Sequence, residues 1–263
     1  MRVVGVLDLA GGRAVHAVRG HRDRYVPVTT VAGVRIDPGE PLALARTYLD
    51  SLGLTELYVA DLDAIESRGS TPPRGPAAAS HDPLVAAIAG LGATLWLDAG
   101  VRSVAEASHA RELGATKVVI GLETLPSYDA LAEICGSVGA EAVVFSLDLR
   151  NGVPVFAAGF PSDDSAGVVA ARAADCGATS IIALDLARVG TETGPDLALI
   201  ARLRAVVPAV TLLAGGGVRG REDLAMLADA GCDGALVATA LQDGRLSAED
   251  VRAARLRQPR RTR

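Results

Sequence analysis

The sequence has few aromatic residues and no long apolar run. Aromatic residues make up 3% of the 263 positions although 49% are hydrophobic, so the core is expected to consist of Ala, Val and Leu, which suits helices packed against a sheet. No apolar run approaches the ~18 residues of a membrane span. The first apolar run, from Val3, is interrupted by Asp8 and lacks the cleavage pattern of a signal peptide. We therefore expect a soluble, cytoplasmic protein without a membrane partner.

The cysteine spacing and the charge balance exclude further classes of protein. The three cysteines are Cys135, Cys176 and Cys232. They lie far apart in helical patterns, and their spacing is typical of neither a metal site nor a set of disulfides. All three are expected to be buried thiols. The net charge is −5, and acidic and basic residues are interspersed, so the sequence does not predict a basic surface that binds nucleic acid. The only basic run, 255–263, is interpreted as solvated, with a binding arm as the alternative. Its last residues, 259–263, form a predicted basic tail.

Two matching stretches carry an aspartate at the end of an apolar run. VVGVLDLAGG (3–12) and VVFSLDLRNG (143–152) share their Val pair, the Leu-Asp-Leu and the final Gly. Both have the continuous apolar character of buried parallel strands. A carboxylate in such a place is costly to bury without a partner. A single aspartate there would be interpreted as a turn cap, but its repetition favours a functional role for Asp8 and Asp148.

Strands and helices alternate through the rest of the chain. Besides the two aspartate-bearing strands, strands are predicted at 56–62, 94–98, 117–121, 180–185, 210–214 and 234–238. Helices are predicted at 41–53, 84–92, 104–114, 126–139, 163–177, 195–207, 221–231 and 247–258. Eight strand–helix pairs predict an α/β protein with a single (β/α)8 TIM barrel over residues 1–258.

The two halves of the predicted barrel repeat each other. AGVRS (99–103) corresponds to GGVRG (216–220), and GATKVVIG (114–121) corresponds to GCDGALVA (231–238). The repeat predicts two duplicated half-barrels of four strands, about 1–139 and 140–258. The strands that carry Asp8 and Asp148 then face each other across the mouth.

Two segments interrupt the alternation. Residues 10–38 read as a long polar connection, and the Pro-, Gly- and Ser-rich segment 66–83 reads as a floppy insertion or a lid. The first segment contains His16, His21 and three arginines, Arg19, Arg22 and Arg24. These residues are expected either to fold over a bound anion or to form a solvated basic loop. No functional role is expected for His81 or His109.

The C-terminal ends of the strands carry the groups that point to chemistry. Active sites of such barrels lie at this face, and five carboxylates are expected to point to one rim: Asp8, Asp61, Asp98, Asp148 and Asp185. Some of them need hydrogen bonds, a cation or a shared proton to be neutralised. Two carboxyl groups with separated pKa values would serve as an acid–base pair.

The turns after the seventh and eighth strands predict a phosphate site. Gly216 and Gly217 allow close approach of backbone amides to an anion, and Arg219, Ala238 and Thr239 follow in the same two turns. The first half has Asp98-Ala99 where the second has two glycines, and only Gly100 and Arg102 keep the pattern. Asp98 is expected instead to meet a hydroxyl, an amine or Arg102.

These motifs together resemble the HisA/HisF family of histidine biosynthesis. The resemblance rests on DL-x-x-G after the first strand, LYVADLDA, SLDLRNG and the paired GVR turns, and it extends over roughly residues 3–246. It is closer to the isomerase branch because Phe160 follows Gly159 where that branch has Gly-Trp.

The resemblance implies a ribulose-phosphate-binding barrel that performs an Amadori rearrangement on a small phosphorylated substrate. It implies Asp8 as general base, Asp148 as general acid, and no cofactor or metal. The substrate- and phosphate-binding residues would be Gly216, Gly217, Arg219, Ala238, Thr239, Gly100, Arg102, Gly121 and Asp185. The expected assembly is a monomer or a homodimer.

Some residues depart from the family pattern, so other functions are considered as well. Leu184 and Val189 replace a threonine and an aspartate, His16 replaces an arginine, and Thr239 replaces a basic residue. These changes predict an isomerase with an altered substrate. One alternative is a HisA-like protein that binds a phosphorylated ligand without catalysis. The other is a carboxylate site that recruits a divalent cation for a lyase or aldol-type reaction.

Overall fold

The computed structural model describes residues 1–18, 21–69, 80–160, 162–191 and 193–257, with only the backbone of 18, 21–24, 68 and 69. The strands, in chain order, are Arg2–Ala10 (β1), Arg13–Val18 (β2), His21–Pro27 (β3), Thr30–Val31 (β4), Val34–Arg35 (β5), Glu56–Asp61 (β6), Thr94–Asp98 (β7), Lys117–Gly121 (β8), Val143–Arg150 (β9), Val153–Pro154 (β10), Ser180–Asp185 (β11), Thr211–Gly215 (β12) and Gly234–Val237 (β13). The α-helices are Pro41–Arg46 (α1), Leu62–Gly69 (α2), Asp82–Ala89 (α3), Val104–Glu112 (α4), Tyr128–Val138 (α5), Ala166–Asp175 (α6), Leu197–Val206 (α7), Arg221–Asp229 (α8), Thr239–Gln242 (α9) and Ala248–Leu256 (α10).

Eight parallel strands close into a barrel, which confirms the predicted (β/α)8 fold. The order around the barrel is β1, β6, β7, β8, β9, β11, β12 and β13, and β13 pairs back to β1 through Arg2↔Gly234 and its successors. β1 and β9 are four strands apart in both directions. The two aspartate-bearing strands therefore stand on opposite sides of the mouth.

The predicted helices form with small changes at their ends. Ser103, Ser127 and Ser247 cap α4, α5 and α10 by accepting hydrogen bonds from backbone N–H groups of the first turn. The helix predicted at 41–53 is α1 followed by a π-helical turn at Thr47–Ser51. The short helix α9 was not predicted. In the described part of the chain, no helix has both the length and the apolar character needed to cross a bilayer.

The long polar connection predicted at 10–38 is not a loop throughout, because it contains the strands β2, β3, β4 and β5. Gly11 and Gly12 have φ of 55° and 75° and join β1 to the antiparallel β2, with Ala10 opposite Arg13. Two consecutive residues with positive φ are what a tight type I′ hairpin turn requires, and glycine adopts them without strain. β3 pairs antiparallel with β2, so the segment extends the sheet above β1.

The segment predicted to be a floppy insertion or a lid is partly helical. α2 runs directly out of β6 and reaches Gly69, and α3 begins at Asp82. Residues 70–79 lie outside the described residues, so the predicted lid is not tested there.

Two buried layers of side chains form the core. The larger layer lies between the strands and the surrounding helices, and it contains Cys135 and Cys232. The smaller fills the barrel interior, where Trp96 is fully buried. Near the mouth, neighbouring strands pair a small residue with a large one. Ala60 stands beside Asp98, and Gly215 beside Leu184. A Cβ on Gly215 would lie 2.6 Å from the Leu184 Cδ1.

A buried ion pair closes the opposite end of the barrel. Arg204 is 4% exposed, and its guanidinium donates to the Asp233 carboxylate at 2.5 Å. It also donates to the carbonyl oxygens of Gly231 and Val210 at 2.8 Å. Asp233 accepts a further bond from the Leu212 amide, also at 2.8 Å. One arginine thus joins the C-terminal ends of α7 and α8 to the strands that follow them.

Candidate active site

A cavity of about 170 Å³ opens at the C-terminal ends of the barrel strands. Asp8, Asp98, Asp148 and Glu123 contribute carboxylates to its wall. The rest of the wall comes from the strand ends, from α2, from β3 and from the turns after β11, β12 and β13: Val6, Tyr25, Tyr58, Ala60, Leu62, Ile65, Leu184, Leu186, Val189, Gly190, Thr191, Gly216, Gly217, Val218, Leu236, Val237, Ala238, Thr239 and Arg245.

Asp148 is a buried carboxyl group within this cavity. It is 3% exposed and accepts hydrogen bonds from the Ser146 hydroxyl at 2.7 Å and the Glu123 amide at 3.1 Å. Gly121 does not line the cavity but makes room for this side chain, because a Cβ there would lie 3.1 Å from the carboxylate. Burial, with the charges of Glu123 and Asp98, raises the pKa of Asp148 well above its ordinary 3.8, while the two hydrogen bonds oppose the rise. A carboxyl group of this kind keeps its proton to higher pH and is suited to act as an acid.

Asp8 faces the same cavity from the opposite strand. It is half-buried, and its backbone is held between Ala60 of β6 and Val15 of β2. Strand pairing on both sides fixes the position of this residue, so the carboxylate is presented to the cavity from a rigid element.

Asp98 is bound by a hydroxyl group, one of the three partners expected for it. The Tyr58 hydroxyl donates to Asp98 at 2.7 Å, and the Gly100 amide donates to its other oxygen at 3.2 Å. Burial, with the charges of Asp98 and further carboxylates, raises the pKa of Tyr58 well above its ordinary value. Sequence reasoning missed Tyr58, although its position two residues before Ala60 places it on the same inward face.

The predicted ring of five carboxylates is not formed. Asp61 pairs in register with Leu9, and Asp185 with Leu149, one residue beyond the inward positions. Successive side chains of a strand point to opposite faces, so this offset turns both carboxylates out of the barrel. Asp185 instead accepts bonds from the Asn151 amide at 3.0 Å and from the Arg188 guanidinium at 3.2 Å.

The glycine turn predicted to bind phosphate does line the cavity, as do Ala238 and Thr239. Gly216 and Gly217 have φ of 91° and 79°. A Cβ on Gly216 would lie 2.7 Å from the Asp185 carbonyl oxygen, and one on Gly217 would lie 2.8 Å from that of Gly194. Both positions therefore require glycine, and the absence of side chains leaves the backbone of the turn facing the cavity.

Among the residues that the structure describes, Arg245, and not Arg219, is the basic residue of this wall. The Arg219 guanidinium binds Asp223 at 2.7 Å and 2.9 Å and does not line the cavity. Arg245 does line it and also binds Asp243 at 2.7 Å. No pattern around Arg245 predicts this position, because the residue lies in a loop after α9.

The corresponding turn of the first half lies outside the cavity. The Gly100 amide is engaged by Asp98, and Arg102 is exposed, with its backbone amide donating to Glu106 at 2.6 Å. Neither Gly100 nor Arg102 lines the cavity.

Comparison with known proteins identifies the family. The family model described as "Histidine biosynthesis protein" matches residues 2–247. The chain belongs to the HisA/HisF family. It is 31% identical over 253 residues to the 1-(5-phosphoribosyl)-5-((5-phosphoribosylamino)methylideneamino) imidazole-4-carboxamide isomerase of Thermus thermophilus, covering 95% of this chain and 98% of that protein.

Further relatives represent both branches of the family. The isomerase of the same name from Deinococcus radiodurans is 31% identical over 247 residues, 93% of this chain and 95% of that protein. The imidazole glycerol phosphate synthase subunit HisF of Leifsonia xyli is 30% identical over 263 residues, 97% of this chain and 94% of that protein. By these similarities the chain is a HisA-like enzyme of the isomerase type.

Apolar residues form much of the wall in this HisA/HisF member. Leu184 and Val189, the two departures from the family pattern, both line the cavity, and Leu184 stands next to Asp148 in the sheet.

His16 is half-buried, and burial lowers its pKa, but it does not line the cavity. The side chains of His21, Arg22 and Arg24, and the whole of Arg19, lie outside the described part of the chain. Within that part, no three His, Cys, Asp or Glu side chains gather as a metal site.

Proposed function

We propose that the protein is an aldose–ketose isomerase of the Amadori type that acts on a sugar phosphate or an aminosugar phosphate. The observation that carries the proposal is a pair of carboxyl groups on opposite strands of one cavity. Asp148 is buried and has a raised pKa, and Asp8 is half-buried and lines the same cavity. Such a pair suits a transfer of protons within one substrate.

Each carboxyl group has one task in the proposed reaction. Asp148 donates its proton to the ring oxygen of the furanose as the bond between that oxygen and C1 breaks. As the ring opens, the lone pair of the nitrogen on C1 forms a C=N bond. Asp8 takes the proton from C2, the electrons of that C–H bond form the C1=C2 bond of an enaminol, and the nitrogen regains its lone pair. The enaminol then gains a proton at C1 from Asp8 and gives its C2 hydroxyl proton to Asp148, which yields the ketone at C2 of an aminoketose and restores both carboxyl groups. The substrate is oxidised at C2 and reduced at C1, so no external oxidant or reductant is needed. Each proton transfer contributes about 10²–10⁴-fold in rate.

The glycine turn supplies the proposed phosphate site. Its support is that Gly216 and Gly217 line the cavity together with the neighbouring Thr239 and the Arg245 side chain. Backbone amides approach a phosphate closely only where side chains are absent.

Replacing Gly217 by Ala tests this site. The added Cβ would lie 2.8 Å from the Gly194 carbonyl oxygen, so the turn must shift, and we expect affinity for inorganic phosphate to fall by at least about tenfold. Gly53→Ala is the matched control, because Gly53 also has positive φ, at 66°, but a Cβ there meets nothing within 4 Å. Calorimetric titration with phosphate measures both. Equal affinity of the two variants would contradict the assignment.

The first-half turn favours a substrate with one phosphate. The relative from Thermus thermophilus is named for a substrate with two phosphoribosyl groups. Here Asp98 already accepts the hydrogen bond of the Gly100 amide, and Arg102 is exposed. We infer that the end of the substrate opposite the glycine turn carries a hydroxyl or an amine.

Two measurements test the proposed function. NMR should detect conversion of an aminoaldose monophosphate to its aminoketose, faster than conversion of the two-phosphate substrate named for the relatives. Crystals grown in phosphate should hold one anion at Gly216, Gly217 and Thr239. Two anions, the second at Gly100, would restore the two-phosphate substrate. A ligand-induced rise in melting temperature without any conversion would favour the alternative of a phosphate-binding protein that has lost catalysis.

A further inference from the structure

His81 joins two rim elements that are distant in sequence. It lies directly before α3 and is 6% exposed. Its Nε2 accepts a hydrogen bond from the Gly12 amide at 2.8 Å, and its Nδ1 lies 3.0 Å from Asp61 Oδ1. The ring thus connects the β1–β2 turn to the end of β6.

These contacts determine which ring nitrogen carries the proton. A backbone amide only donates, so Nε2 must be unprotonated where it meets Gly12. Nδ1 then carries the hydrogen of the neutral ring and donates it to Asp61. Asp63, 3.4 Å from Nε2, is occupied by the Gly11 amide, which donates to it at 2.8 Å. Both amides of the two-glycine turn are therefore held by side chains.

The turn held in this way connects β1 to a hairpin that forms part of the cavity wall. It begins three residues after Asp8, and the hairpin beyond it brings Tyr25 of β3 to the mouth. Asp8 itself is fixed by its two neighbouring strands. A loosened turn would therefore release Tyr25 rather than Asp8.

The second half of the barrel holds its equivalent turn by a simpler contact. Asn151 and Gly152 form the same kind of two-residue turn after β9, with φ of 53° and 78°. There the Asp185 carboxylate accepts the Asn151 amide directly, at 3.0 Å. Asp61 ends β6 as Asp185 ends β11, but it reaches its turn through His81.

We propose that His81 is a positioning residue: as the neutral Nδ1–H ring, it holds the β1–β2 turn and so keeps the Tyr25 hairpin over the mouth. The kinetic part of this proposal rests on the proposed isomerase function. His81 supports substrate binding by holding the hairpin in place, and it does not transfer protons.

Two variants separate the contacts of His81. In His81→Asn the amide nitrogen replaces Nδ1 and keeps the bond to Asp61, but the acceptor for Gly12 is lost. In His81→Gln the terminal oxygen replaces Nε2 and keeps that acceptor. We expect His81→Asn to raise KM and the exchange rate of the Gly12 amide about tenfold, with kcat changed less than about twofold. His81→Gln should remain near wild type in all three quantities.

The controls distinguish positioning from general stability. His109→Gln should change nothing, because His109 is an exposed histidine bound to Asp82. Nitrogen NMR of the wild type should show His81 protonated at Nδ1 only. Equal behaviour of His81→Asn and His81→Gln, or a ring protonated at Nε2, would overturn the proposal. If the wild type isomerises no sugar phosphate, the proposed function fails, while amide exchange and the NMR spectrum still decide the role of His81.

Discussion

Replacing Asp148 by Asn should abolish turnover and leave the fold at least as stable as the wild type. The Asn oxygen can still accept the hydrogen bond of the Glu123 amide, and the Asn nitrogen can donate to the Ser146 hydroxyl oxygen, but the side chain has no acidic proton to give to the substrate. We expect a loss of about 10²–10⁴-fold in kcat. Asp8→Asn should cause a loss of similar size, because the base is then absent. Kinetics and thermal unfolding of the purified variants measure both effects.

The stability part follows from the raised pKa of Asp148. The folded state holds this proton more tightly than the unfolded state, so stability falls as the pH rises from the ordinary carboxyl value of 3.8 towards the raised one. Asn is neutral at every pH and avoids this loss. The variant should therefore unfold at a higher temperature than the wild type near neutral pH and at a similar temperature in acid.

The pH dependence of turnover gives an independent check. An acid catalyst fails as the pH rises through its pKa. Glu123→Gln removes a charge that raises the pKa of Asp148, so the alkaline limb of kcat/KM should move to lower pH. A limb that stays in place, or an Asp148→Asn variant with normal turnover, would contradict the assignment of Asp148 as the acid.

Replacing Arg204 by Leu should cause the largest loss of stability. The change removes the guanidinium that binds the buried Asp233 carboxylate and several buried carbonyl groups, and leaves Asp233 without its ion-pair partner. Breaking a buried ion pair from one side costs about 3–5 kcal/mol, which lowers the melting temperature by about 10 °C in a protein of this size. Denaturant unfolding measures the difference.

A neighbouring arginine provides the control. Arg202 lies on the same helix but is exposed, so Arg202→Leu should change the free energy of unfolding by no more than about 0.5 kcal/mol. Kinetic constants of Arg204→Leu should be normal where it is folded, because Arg204 lies at the end of the barrel away from the cavity. Equal stability of the two variants would show that the buried pair contributes nothing.

The barrel was predictable because its signals are local and repeated. Apolar strands and amphipathic helices are each recognised within a short window, and the repeat between the two halves indicated four strands in each half. The hairpin after β1 also had a local signal that was not used. Two consecutive glycines between apolar segments indicate a tight hairpin turn.

The wall of the cavity was less predictable because it depends on strand register and on distant contacts. A shift of one residue separates inward Leu184 from outward Asp185, and a short apolar strand does not reveal which of the two faces the interior. The bond between His81 and Gly12 joins residues 69 positions apart. Arg245 reaches the mouth from a loop whose path no pattern in the sequence indicates.

Ala60 is paired with Asp98, and Leu184 with Gly215, so that a small residue stands beside a large one in each half. The effect of a substitution at one residue of a pair therefore depends on the other residue. In the second half the larger side chain, Leu184, is on the sixth strand of the barrel. In the first half the larger side chain, Asp98, is on the third strand. Gly215→Asp alone would drive a side chain into the Leu184 methyl group that lies 2.6 Å from an added Cβ. Leu184→Ala alone would leave a void beside Asp148. The second half can therefore take on the arrangement of the first, without a clash or a void, only when both residues change together, so single mutations at Leu184 or Gly215 do not remove the asymmetry of the mouth.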